Sequence, residues 1–373
     1  ALGAAAFAAG AGWLALKRKP APPAGLSNLL DKAEAALAYN TPEQNDAAVG
    51  ITQEAARRFP ERAEAWGKLA IAYRQQALNS RRSDALDIMG RAQSAARRAV
   101  EIDTDNADGA VVIAVGNGLW FSGYADYDRM TGRALARFAD HPVARRSRAN
   151  FLFETGRVRE SVEVGAALVD PQLPLPGSTA QAIRLWAAGR PDEAEALLDT
   201  LIGRWPRHYS VWSTRYKFLL FSGKAKQAEN MLGDSPVGLE DIDFAIWAAQ
   251  TKAILSGSPD DITAALRRFD GIAASVMSKA QEAVTFASAV GRVDAAFDYL
   301  DLYYFTARGV ESFRRKLPPS QLQPHSGVLT YFLFEPPMRA IRDDARFASL
   351  VERLGLSSYW RTNRLKPDFA ERA

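Results

Sequence analysis

The residue types able to do chemistry are scattered through this sequence and assemble into no catalytic set. Its three histidines, His141, His208 and His325, stand far apart, and none lies within helical reach of a paired carboxylate or a serine motif. The patterns GxSxG and HExxH and the phosphate-binding glycine loop are absent. Asp103, Asp105 and Asp108-Gly109 approach a calcium loop, but Ala114 stands where the loop would end on a bidentate glutamate, so these acids read as helix caps and no metal is expected. Val115-Gly116-Asn117-Gly118 carries two glycines, and its register places it inside a helix, where close packing explains it better than phosphate binding. Cysteine is absent, which excludes disulfides, thiolate metal sites and a thiol nucleophile. The expectation is a chain with no enzymatic activity and no cofactor.

Aromatic residues offer a second kind of chemistry. Trp66, Trp120, Phe153, Trp186, Trp212 and Trp247 would stack nucleobases if basic residues alternated with them on one face. The one local basic cluster is Arg145, Arg146 and Arg148, and the net charge of +4 is a thin excess of 47 basic over 43 acidic residues. No direct nucleic-acid contact is expected, and the tryptophans read as core or groove wall.

What positions all of these residues is a ladder of glycines. Gly123, Gly156, Gly189, Gly223, Gly257 and Gly291 follow at intervals of 33, 33, 34, 34 and 34 residues, which is the mark of a solenoid repeat. Within one period, Leu185, Trp186, Ala194, Leu197, Leu198 and Leu201 recur at helical spacing on both sides of Gly189, so two amphipathic helices flank a turn. Glycine suits that turn because it tolerates the left-handed backbone that ends a helix, and Pro191 suits the first turn of the next helix. One such pair cannot bury its apolar stripe alone, whereas stacked pairs share a continuous core.

With the glycine as the turn between helices, small Ala194 and Ala228, then Leu198 and Leu232, then Pro206, together with Gly116 and Trp212, resemble the tetratricopeptide repeat. The resemblance implies an all-α, right-handed α-solenoid of about eight helix pairs with an irregular C-terminal helical cap. The chain divides into an apolar segment at 1–19 with a basic flank, a Pro-rich linker at 20–26, irregular helical repeats at 27–105, regular repeats at 106–316 and the cap at 317–373. In the cap, Met338 to Leu354 is expected to form one capping helix.

Two further expectations come from the chain ends. Ala1 to Leu16 carries no charge and is followed by Lys17-Arg18-Lys19, which predicts the trailing part of a transmembrane helix: about 24 Å of helix against a hydrocarbon core of roughly 30 Å. The tail, with Tyr331-Phe332-Leu333-Phe334-Glu335-Pro336-Pro337 and Tyr359-Trp360, resembles the ending of bacterial membrane-anchored tetratricopeptide signalling proteins of the transmembrane winged-helix regulator type. Together these imply a single-pass anchor in the bacterial inner membrane and a sensory or scaffold module that holds a protein or peptide in its concave groove. The alternative is the output half of a one-component transcription regulator whose DNA-binding domain lies upstream.

The family register also assigns groove positions, ten and six residues before each glycine. They hold Asn117, then Arg146 and Asn150, then Ser213 and Lys217, with Phe121 and Phe153 as apolar walls, while the intervening repeat has Thr179 and Ile183. A cation and an amide one turn apart would hold a partner's carboxylate, as in the family's clamps. The same pair also reads as an ordinary solvated face.

Overall fold

The computed structural model describes residues 21–79, 82–116, 118, 122–170, 176–234, 241–306, 308–317 and 319–371. Among these residues there is no strand, and sixteen helices follow one another in eight pairs. The pairs are α1 (Ala24–Tyr39) with α2 (Pro42–Arg58), α3 (Ala63–Asn79) with α4 (Arg82–Ile102), α5 (Ala107–Val115) with α6 (Tyr124–Arg137) and α7 (Pro142–Glu154) with α8 (Val158–Ala166). They continue as α9 (Pro176–Ala187) with α10 (Pro191–Arg204), α11 (Tyr209–Phe221) with α12 (Ala225–Gly233), α13 (Asp241–Ser256) with α14 (Pro259–Arg267) and α15 (Met277–Ala289) with α16 (Val293–Asp301). Each pair packs on the next, which makes the chain a tetratricopeptide-like helical solenoid.

The turns repeat because the same hydrogen bond closes them. Gly156, Gly189, Gly223 and Gly291 have φ of +74°, +81°, +78° and +71°. The residue after each glycine donates its N–H to the carbonyl five residues back, from Arg157 to Leu152, Arg190 to Leu185, Lys224 to Leu219 and Arg292 to Ala287, at 2.8–3.0 Å. These are the left-handed terminations that satisfy the last carbonyls of a helix. Behind them, Ala194, Ala228 and Ala296 are fully buried, so the second helix of each pair approaches the first closely. Trp212, Tyr216 and Trp247 stack at centroid distances of 5.0–5.5 Å in the core, which is the role the tryptophan spacing suggested.

The first rung differs. Gly123 has φ −63° and caps the start of α6. Helix α5 has already ended at Val115, where Gly116 turns at φ +55° and Gly118 follows at +91°. The placement of Gly116 and Gly118 inside a helix is therefore corrected: Gly116 caps the end of α5 at positive φ, and Gly118 lies beyond it, also at positive φ.

The tail departs further from expectation. After a π-helical turn at Leu302–Thr306 and α17 (Arg308–Arg315), the expected single helix from Met338 to Leu354 is broken into a 3₁₀ turn at Pro336–Met338, α18 (Arg339–Arg342) and α19 (Arg346–Arg353), with α20 (Leu356–Thr362) beyond. Pro336 and Pro337 remove backbone donors, and Asp344 accepts from the Arg346 N–H at 2.9 Å to start a new helix. The segment also does more than cover α16. Trp360 Nε1 donates to the Thr155 carbonyl at 2.9 Å, Tyr359 Oη donates to Asp128 Oδ2 at 2.8 Å, and the Asp368 N–H donates to the Gly156 carbonyl at 3.0 Å. At the opposite end, the Tyr39 carbonyl accepts from His208 Nε2 at 3.0 Å and its ring meets Trp205 edge-on at 5.4 Å. The first pair and the tail both fold back onto the middle of the solenoid.

The apolar segment at 1–19 lies outside the described residues. Among the described residues no helix is long and apolar enough to cross a membrane. The longest, α4, spans 21 residues and carries charges along its whole length. The expected transmembrane anchor, and the inner-membrane location drawn from it, are corrected accordingly. Helix α1 begins at Ala24, inside the span assigned to the linker.

Candidate functional site

Of the seven groove positions, Asn117 and Phe121 lie outside the described residues. Arg146, Asn150 and Phe153 stand on α7, and Ser213 and Lys217 on α11. Both are first helices of their pairs, and they bring the five residues to two centres.

The centre on α11 is a cleft of about 260 Å³. Tyr209, Ser213 and Lys217 line it with Ile183 from α9, Trp247 from α13 and Gln281 from α15, so four successive first helices contribute. Tyr209 is half exposed at its rim. Glu282 also lines it and pairs with Lys279, which pairs in turn with Asp243, and burial pushes the Glu282 carboxyl above its usual range despite that cation.

Part of this face is already occupied by the chain's own tail. Glu154 Oε2, at the end of α7, accepts from the Thr330 N–H, from Thr330 Oγ1 at 2.7 Å and from the Tyr331 N–H at 3.0 Å. Phe153 packs on the Tyr331 ring at 5.4 Å. Lys217 Nζ pairs with the carboxylate of Glu335, which is fully buried. Arg342 fixes the same stretch by donating to the carbonyls of Leu333 and Glu335 at 2.7 and 2.8 Å. Lys217 thus does hold a carboxylate, and that carboxylate belongs to this chain. Burial pushes the Glu154 carboxyl up to about 7, against the three hydrogen bonds that pull it down.

The centre on α7 is basic. Asn150 is exposed and Arg146 is half-buried, and Asn150 Oδ1 accepts from Arg184 Nη2 at 2.5 Å. Arg74, from α3, reaches across to α7 and donates to Ser147 Oγ at 3.2 Å. The sequence register did not single out Arg74 or Arg184. Arg184 stands five residues before Gly189, off the positions assigned to the groove, and Arg74 lies where the chain is out of phase with the ladder. Only the stacking of the pairs brings them to Arg146.

The acids that suggested a calcium loop are engaged elsewhere: Asp103 Oδ1 accepts from the Asp105 N–H at 3.1 Å, and Asp108 pairs with His141 at 2.9 Å and Lys68 at 3.5 Å. Among the described residues no group of three or more His, Asp or Glu is placed to hold a metal ion.

No protein-family model matches this chain, and no curated protein matches it. Among solved structures it is similar to one described as "Structure of Naa15/Naa10 bound to HypK-THB", at 16% identity and a TM-score of 0.31, over 88% of this chain and 53% of that one. This chain therefore spans about half the length of the chain it is matched to.

Proposed function

We propose that the chain is a non-enzymatic interaction scaffold that binds a protein or peptide partner along the first-helix face of its solenoid. The observation that carries this reading is that the face already holds a peptide. The stretch around Thr330 to Pro337 lies against α7, α11 and α15, with backbone N–H groups on Glu154, a carboxylate on Lys217, and the Pro337 carbonyl accepting from Ser288 Oγ at 2.8 Å. A surface that satisfies an irregular segment in this way has the chemistry to satisfy another, and the cleft at Tyr209, Ser213 and Trp247 continues it. Nothing among the described residues favours the transcription-regulator alternative.

The test is a photo-crosslinking amino acid at Tyr209, with and without Ser213→Arg to fill the cleft. A partner that crosslinks at position 209 and is lost with Ser213→Arg, at unchanged thermal stability, is the expected result. Equal crosslinking by both forms would place the docking site elsewhere.

A further inference from the structure

We propose that Arg74, Arg146 and Arg184 form a binding niche for a phosphate-type dianion. The three arginines come from the first helices of the second, fourth and fifth pairs, and Arg74 and Arg184 both reach the α7 surface that carries Arg146. Arg74 is anchored on Ser147 and Arg184 on Asn150, one and four residues on from Arg146 along α7. Arg74 and Arg184 are 5% and 1% exposed.

Their guanidinium groups are under-used. Nε of all three, and Nη1 of Arg184, are buried without a hydrogen-bond partner. No ion pair reaches any of the three among the described residues, whereas the same fold pairs Arg215 with Asp199 at 2.6 Å and Arg148 with Asp128. An uncompensated buried charge is strongly unfavourable, and three together are more so, because each repels the next. Burial, and then the charge of Arg74, lowers Arg146 to about 10; burial, and then Arg146, lowers Arg184 to about 10. Both remain cationic at neutral pH.

The missing component is an anion. Free N–H groups on rigid planar forks match the oxygens of a tetrahedral oxyanion, and a dianion offsets more of the three charges than a single carboxylate would. The Ser147 hydroxyl and the Asn150 amide add short polar partners, and exposed Asn150 with half-buried Arg146 marks the mouth. The unit these N–H groups would recognise is a phosphoryl group, as phosphate itself or as a small phosphomonoester. The inference stands independently of the peptide-binding reading, because the niche is built from α3, α7 and α9 and uses none of the α11 cleft's cations.

The experiment is titration of the full chain with inorganic phosphate, glycerol 3-phosphate and acetate at matched ionic strength and pH 7.5, followed by calorimetry and thermal melting. Saturable phosphate binding that acetate does not reproduce is expected, with affinity at least tenfold weaker in Arg146→Gln. The unliganded Arg146→Gln protein should melt at or above the wild type, because a like-charge contact has been removed. Tighter binding of glycerol 3-phosphate than of phosphate would identify a phosphorylated molecule as the source, and the reverse order the free ion. The exposed-site variant Asn150→Ala provides a second readout should Arg146→Gln fold poorly, with weaker phosphate binding expected. The proposal is overturned if phosphate has no saturable effect beyond matched chloride, if acetate binds equally well, or if the variants bind phosphate as the wild type does.

Discussion

Glu154 makes the attachment of the tail depend on pH. The carboxyl is buried at the end of α7 and accepts three hydrogen bonds from Thr330 and Tyr331, yet burial wins and raises it from 4.5 to about 7. Below 4.5 the proton is bound in both folded and unfolded chains, and the fold bears no penalty. As pH rises towards 7 the unfolded chain ionises first, so stability falls, and above about 7 the loss is complete. At about 1.4 kcal/mol per pH unit, the interval corresponds to about 3 kcal/mol. Glu154→Gln keeps the shape and cannot ionise. It should match the wild type at pH 4.5 and exceed it by up to about 3 kcal/mol at pH 8. Urea unfolding of both forms across that range measures the difference, and amide exchange at Thr330 and Tyr331 shows whether the tail is what loosens. Parallel pH curves for the two proteins would refute the reasoning.

Four other outcomes follow from the contacts and turns described above. Lys217→Ala should cost about 3 kcal/mol in urea unfolding because it strands the buried Glu335 carboxylate, and adding Glu335→Gln should recover most of it. Gly189→Val should lower stability by more than about 1 kcal/mol in thermal melts, since its φ of +81° penalises a β-branched residue. Among alanine replacements, Gly156→Ala should cost more than Gly223→Ala, because its Cβ would meet Phe334 and Pro367 at 3.0 Å while that of Gly223 meets nothing within 4 Å. Removing residues 338–373 should uncover Phe151 and Thr155, and gel filtration should show association.

The helix pairs were legible because their signals are local. A left-handed glycine, a small residue five places on and a leucine four beyond that each act within one turn, and the ladder located four of the five later turns to the residue that closes them. Gly123 misled because glycine also starts helices, and only the backbone distinguishes the two uses. The register put Lys217 on the first-helix face, but as a group for a partner's carboxylate; Glu335, which it pairs with in the chain itself, lies 118 residues away and no spacing connects them. Arg74 and Arg184 were invisible for the same reason. An arginine on a first helix looks solvated in sequence, and its burial is decided by which helix stands opposite once the pairs have stacked.

The return of the first helix pair and of the tail to the middle fixes something that solenoids usually leave free. In an open array each unit touches only its neighbours, so units can be gained or lost in evolution with little disturbance to the rest. Here Glu154 must meet Thr330, Asp128 must meet Tyr359, and Tyr39 must meet His208. Inserting or deleting one pair between these residues would carry each contact out of register by a whole repeat. The number of repeats is therefore a locked property of this molecule, as strand number is in a closed barrel.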